Sequence, residues 1–233
     1  MQVSNGTQQL YIGGRFSSAC GAASANVAVL VEGYWLPLAE GVAGGVVNAL
    51  ALSGDKLFAG GTFSMAGGRP AGRVARWEGG RWHPLGEMGG DVHALAVLGE
   101  YLFAAGDFKT AGGVPAHHVA RFSSGRWSAL GGGVDAPAFA LLSHGACILM
   151  GGAFTTCLPP TPLLPPSPCP HLARWCIDSD HASWEPASPV VPSAMEGGGE
   201  EGGGAAVVRA IALAAHSVPG GGGACAVGEG VCV

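Results

Sequence analysis

The chain has 233 residues, 48% of them hydrophobic and only 12% charged, with 42 glycines and a net charge of −5. That much apolar content supplies a core and excludes disorder throughout, while the charged share is about half the usual one. Only two lysines occur, Lys56 and Lys109, with no basic run, which excludes a nucleic-acid footprint; no stretch is apolar for long enough to insert in a membrane as a helix.

The opening MQVSNGTQQL has no apolar segment behind basic residues, so no secretory leader is visible, and the chain reads as starting inside a repeat. Residues 1–38 form a partial unit, with LYIGGRF from Leu10 and VLVEGYWLPL from Val29. Three complete units follow at about 46–86, 91–131 and 137–187. Each opens on one signature (VNALAL from Val47, VHALAV from Val92, AFALLS from Ala138). A second comes next: LFAGGTF from Leu57, LFAAGDF from Leu102, ILMGGAF from Ile148. Each unit then closes on ARWEGGRWHPL, ARFSSGRWSAL or ARWCIDSDHASWEP. A fifth unit, at 207–233, begins with VRAIAL and ACAVGEGV and stops before its last two strands.

The phenylalanines Phe16, Phe63, Phe108 and Phe154 recur at 47, 45 and 46 residues. The step from the glycine two before each of the first three to Trp35, Trp82 and Trp127 is 21 residues. In the fourth unit, Gly152 to Trp184, it is 32. Three motifs in phase along the chain mark a repeat architecture.

Each signature reads as a strand, here lettered A (VNALAL), B (LFAGG), C (VARW) and D (RWHPL). Ser53-Gly54-Asp55 and Glu78-Gly79-Gly80-Arg81 are hairpin-length turns, so A pairs with B and C with D. Four short antiparallel strands in about 45 residues predict a propeller blade. The expected fold is all-β: an incomplete or open β-propeller of three complete blades between two partial ones. Its phenylalanines and Trp35, Trp82, Trp127 and Trp184 should fill the space between blades, with Arg76, Arg121 and Arg174 capping or stacking on those rings.

This pattern resembles kelch-type propellers, in which a strand ending in Gly-Gly precedes a strand pair carrying an aromatic and a tryptophan. The form GGxF…AGG…ARW…W is closer still to repeats of the fungal cortical marker for cell polarity family and related bacterial surface proteins. The resemblance covers nearly the whole chain and implies a cell-surface or extracellular location, with the cytoplasm as the alternative. It bears on fold far more than on function, because propellers host unrelated roles.

Two insertions interrupt the fourth unit: a proline-rich loop at 157–170, and a Gly/Glu-rich stretch at 195–204 expected to be disordered. Both fall in B–C or D–A connections. Strands B and D run in the same direction, so those connections share one face, the expected binding face. Polarity and loop position select Arg69, Arg73, Glu87, Lys109, His117, His118 and Asp135 as candidate contacts for a protein or glycan. Of the adjacent His117 and His118, strand alternation allows one at the surface.

The seven cysteines do not recur with the repeat and so are not a framework for the fold. Cys157, Cys169, His171 and Cys176 match no common zinc spacing; a Cys157–Cys169 disulfide, free thiols and zinc all remain open. Asn5-Gly6-Thr7 fits a glycosylation sequon. GxSxG, HExxH and P-loop motifs are absent, as are Asp boxes and the Tyr/His/Cys set of the kelch-type copper oxidases. The expectation is therefore a non-catalytic binding or scaffold module without cofactor or metal. One alternative is an enzyme with a central site built on Asn48, His93 and Arg209, which share a register with Phe139. The other is a gene-model fragment without independent function.

Overall fold

The computed structural model describes residues 2–4, 7–161, 163–177, 184–187 and 209. The stretch 195–204 lies outside the described residues, and so does the expected fifth unit apart from Arg209. Among the described residues the chain is all-β, dominated by four antiparallel four-stranded sheets with their strands in the order A-B-C-D. The first sheet comprises Gln2–Ser4, Thr7–Gly13, Val27–Val31 and Tyr34–Pro37. The second holds Val47–Ser53, Lys56–Gly61, Val74–Glu78 and Arg81–Pro84. Asp91–Leu98, Tyr101–Asp107, Val119–Ser123 and Arg126–Ala129 make the third. Ala138–His144, Cys147–Gly152, Leu172–Cys176 and Glu185–Pro186 make the fourth.

Turn chemistry sets the pairing. Gly54, Gly99 and Gly145 close the A–B turns at φ of +60°, +60° and +57°, a region that a side chain disfavours. Strand A then carries a bulge in three sheets, because the register slips between Val47 and Ala49, Val92 and Ala94, and Ala138 and Ala140. The extra residues are Asn48, His93 and Phe139, and a bulge re-aims the side chain it frees. Asn48 donates to the Val92 carbonyl at 2.9 Å, on the next sheet. The His93 ring lies 5.2 Å from that of Phe139, and the Arg209 guanidinium 5.3 Å from Phe139. The polar register expected at a central site is thus used for contacts between neighbours.

Successive sheets pack through three apolar cores. Strand B is buried along nearly its whole length in the second sheet, as its continuous apolar run requires when both faces are covered. At Gly60 a Cβ would stand 2.6 Å from Val92 Cγ1, so the glycine lets the neighbouring strand A close in. Phe63, Phe108 and Phe154 are fully buried, whereas Phe16 is half-buried. Trp82, Trp127 and Trp184 are buried as well, and each indole N–H donates to a leucine carbonyl at the end of the preceding sheet. The partners are Leu38 at 3.0 Å, Leu85 at 2.6 Å and Leu130 at 2.9 Å. Trp35, on the first sheet, is half-buried, and Leu10 on the same sheet is exposed.

The recurrent arginines behave differently from one another. Arg121 stacks over the Tyr101 ring at 4.9 Å, but Arg76 pairs with Glu78 at 2.8 Å and Arg174 with Glu185 at 2.9 Å. A carboxylate within reach takes the guanidinium in two of the three repeats, in place of an aromatic ring.

Trp127→Ala opens a cavity between the second and third sheets and should lower unfolding stability by about 3–5 kcal/mol. Trp127→Phe keeps most of the ring but leaves the Leu85 carbonyl without its donor, an added loss of about 1–3 kcal/mol. Urea denaturation of both variants checks the order.

Candidate functional site

The B–C connections are built structures. Each folds into a two-residue hairpin: Ser18–Ala19 with Ala22–Ala23, Met65–Ala66 with Arg69–Pro70, Thr110–Ala111 with Val114–Pro115, and Thr156–Cys157 with Ser167–Pro168. The D–A connections lie against them. Val42–Ala43 pairs with Met65–Ala66, Met88 bridges to Ala111, and Val134 bridges to Cys157. A further bridge joins Gly72 to Glu87. The two connection types therefore interlock on one face.

One backbone position organises this face. Asn26, Arg73, His118 and His171 all hold positive φ, at 61°, 70°, 64° and 62°. Each N–H donates to the carbonyl of its repeat's phenylalanine, and each carbonyl accepts from the strand-B glycine N–H two residues before that phenylalanine. Side chains then diverge. Asn26 Nδ2 donates to the Val42 and Gly45 carbonyls at 2.8 and 3.2 Å. Arg73 Nη1 reaches the Met88 carbonyl at 2.8 Å, and Arg73 Nε lies 3.4 Å from the Asp91 carboxylate. His118 Nδ1 donates to the Gly106 carbonyl at 3.1 Å and sits 3.8 Å from Asp107.

These facts change the standing of two candidate contacts. His118 is only 4% exposed, so it is a backbone-locking residue and His117 is the exposed member of the pair. Arg73 is half-buried and laces its hairpin to the next connection, though it also lines a cleft of about 490 Å³ with Glu87, Thr62, Ser64 and Pro84. The side chains of Arg69, Glu87, Lys109, His117 and Asp135 are exposed on the loop face. Asp135 accepts from the Thr155 and Thr156 N–H groups, each at 2.9 Å, and from the Thr155 hydroxyl at 2.9 Å. Burial pushes its pKa up, but those donors outweigh it and hold the carboxyl below its ordinary value.

Two bridges lie within the fourth repeat. Cys157–Cys169 closes the base of the proline-rich loop, and Cys147–Cys176 crosses from strand B to strand C. Three members of the metal-like cluster are thereby divided between separate disulfides, so no thiolate set faces His171. Cys20 is disulfide-bonded too. The Cys147–Cys176 and Cys157–Cys169 bridges have no counterpart in the second and third repeats. Cys157 and Cys169 replace Ala66 and Ala71, or Ala111 and Ala116, of the other hairpins: Cys169 N–H donates to Thr155 as Ala71 and Ala116 donate to Ser64 and Lys109.

A second cleft, of about 600 Å³, escaped the sequence reading. It lies at the outer edge between the second and third sheets, lined by Arg76, His83, Phe122, Arg126 and Trp127. Its only sequence signal is the arginine before tryptophan in two repeats (Arg81-Trp82, Arg126-Trp127), which reads as an ordinary exposed strand end.

No family model matches the chain, and no curated protein matches it. Among solved structures, the crystal structure of a computationally designed protein, Ika8, is similar at 20% identity and a TM-score of 0.42 over 67% of this chain. The chain spans 43% of the length of that protein.

Two measurements test the face. Burial lowers the His118 pKa, helped by His117 and Lys109 and opposed by the Gly106 carbonyl and Asp107. The unfolded chain therefore binds more protons just below pH of about 6.5, and stability should fall as pH drops through that window. His118→Asn, which keeps the left-handed preference that Asn26 shows, should flatten the dependence between about pH 5 and 7 in thermal melts. Replacing Cys157 and Cys169 together by alanine should preserve the fold and lower stability by no more than about 3 kcal/mol. Differential calorimetry of the parent and the double variant, both without reductant, reads that difference.

Proposed function

We propose that this protein is a non-catalytic binding or scaffold module: the four sheets are kelch-like blades of a β-propeller arc, and their B–C and D–A loops meet a protein or glycan partner. The observation that carries this reading is the interlocked loop face. Its hairpins and connections are pinned to each other by backbone bridges, yet Arg69, Glu87, Lys109, His117 and Asp135 stay exposed on it. Rigid backbone beneath accessible polar side chains lowers the ordering penalty of association. The blade reading draws support from the A-B-C-D order of each sheet and from the side-by-side strands A of neighbouring sheets. Engagement of Asn48, His93, Phe139 and Arg209 with neighbours argues for scaffold over central-site chemistry. Two disulfides fit an oxidising compartment, which supports a cell-surface or extracellular setting.

The test separates the two faces by mutation. Arg69→Ala, Lys109→Ala and His117→Ala combined should abolish retention on a panel of immobilised cell-surface glycans and ectodomains without changing the melting temperature. His93→Ala with Arg209→Ala should leave retention unchanged. Loss only in the second pair, or turnover of a retained ligand, overturns the reading.

A further inference from the structure

The outer cleft between the second and third sheets combines features that the loop face lacks. Its ionisable lining is entirely basic, Arg76, His83 and Arg126, in a chain whose net charge is −5. Arg76 is held at 2.8 Å by Glu78, which fixes its guanidinium in place. Among the described residues, Arg126 and His83 make no ion pair or side-chain hydrogen bond, and Arg126 is exposed. An exposed, uncommitted guanidinium beside an anchored one is poised for an anion without first breaking a bond.

The wall behind these basic side chains is aromatic. Phe122 and Trp127 stand 5.2 Å apart and tilted by 56°. Trp127 uses its indole N–H on Leu85, so what it adds to the cleft is apolar surface. Gly86 and Gly112 line the same cleft; a Cβ at Gly112 would come 2.8 Å from Trp127 Cδ1, and one at Gly86 3.5 Å. A side chain at Gly112 would crowd the tryptophan, whereas a Cβ at Gly86 would make ordinary contact with it. The volume, about 600 Å³, lies in the range of small-molecule sites.

We propose that this cleft binds a uronate-bearing oligosaccharide. An apolar face of a pyranose ring matches the partly exposed Phe122 ring beside the edge of Trp127, and a ring carboxylate matches the planar donor fork of Arg126. A bare phosphate would leave the aromatic wall unused. An acidic peptide would offer the carboxylate on a flexible stem in place of a rigid ring. This site is separate from the loop-face contacts, so it stands or falls independently of the reading above.

The experiment titrates the full chain with tetragalacturonate by calorimetry at low salt, following the indole N–H resonances by NMR. Saturable binding with movement of the Trp127 signal is expected, together with at least tenfold weaker binding of the methyl-esterified tetramer. Arg126→Ala, at an exposed position, should weaken binding about tenfold or more while leaving the melting temperature unchanged, and Arg126→Lys should restore part of it. The loop-face triple variant should bind as the parent does. Absent saturation, equal affinity for the neutral ester, equal binding by Arg126→Ala, or equal competition by inorganic phosphate or a tetraglutamate peptide would each overturn the proposal.

Discussion

A hydrogen bond from a buried tryptophan to the last leucine of the preceding sheet links each repeat to its neighbour. Trp82, Trp127 and Trp184 make it to Leu38, Leu85 and Leu130. The indole fills the wedge between two sheets and satisfies a carbonyl at a strand end that packing has removed from water. Apolar packing alone tolerates sliding, since dispersion contacts have little direction. The directional N–H in each wedge fixes the angle and height of one sheet on the next. Everything else follows from that spacing: strand-B glycines can meet strand A of the next sheet, bulge residues can reach across, and the connections can interlock.

The repeat, the strand order and the identity of the wedge residues are legible from the chain itself, because Phe63 and Phe108 keep phase with Trp82 and Trp127, and the fourth unit departs only by the insertion between Phe154 and Trp184. What stayed hidden has physical causes. A bulge adds one residue without disturbing apolar alternation on either side, so Asn48, His93 and Phe139 looked like an inward register when they are unpaired insertions. Hairpins with two-residue strands have no period to detect. Recurrence along the chain does not reveal the Cys147–Cys176 bridge, whereas strand register places the two residues opposite each other. Aligned by register, that pair occupies the slot of Lys56 and Glu78 in the second sheet, an ion pair at 3.5 Å. One cross-strand slot thus holds a salt bridge in one repeat and a covalent bond in another.

Loop-face residues divided along a similar line. Position and polarity picked Arg73 and His118 for recognition, yet their backbone conformation commits them to architecture. Left-handed geometry at a non-glycine residue is a sign of structural constraint that one-dimensional reading does not carry. Arg69, Lys109 and His117 lack that constraint, and their side chains remain exposed.

Near-identical tandem units face a hazard of mispairing, where a strand docks on the wrong neighbour and the chain is trapped. The left-handed slot bears on that hazard directly. Its backbone bonds are the same in every repeat, so any residue able to hold positive φ can occupy it, and here asparagine, arginine and two histidines do. In the first three repeats the side chain addresses a different set of acceptors: the Val42 and Gly45 carbonyls, the Met88 carbonyl with Asp91, and the Gly106 carbonyl beside Asp107. Arg73 seated in the place of Asn26 would meet no carboxylate equivalent to Asp91, which in that connection is replaced by the apolar Val46. The first three of four similar units thereby carry distinct addresses, each written at a single residue.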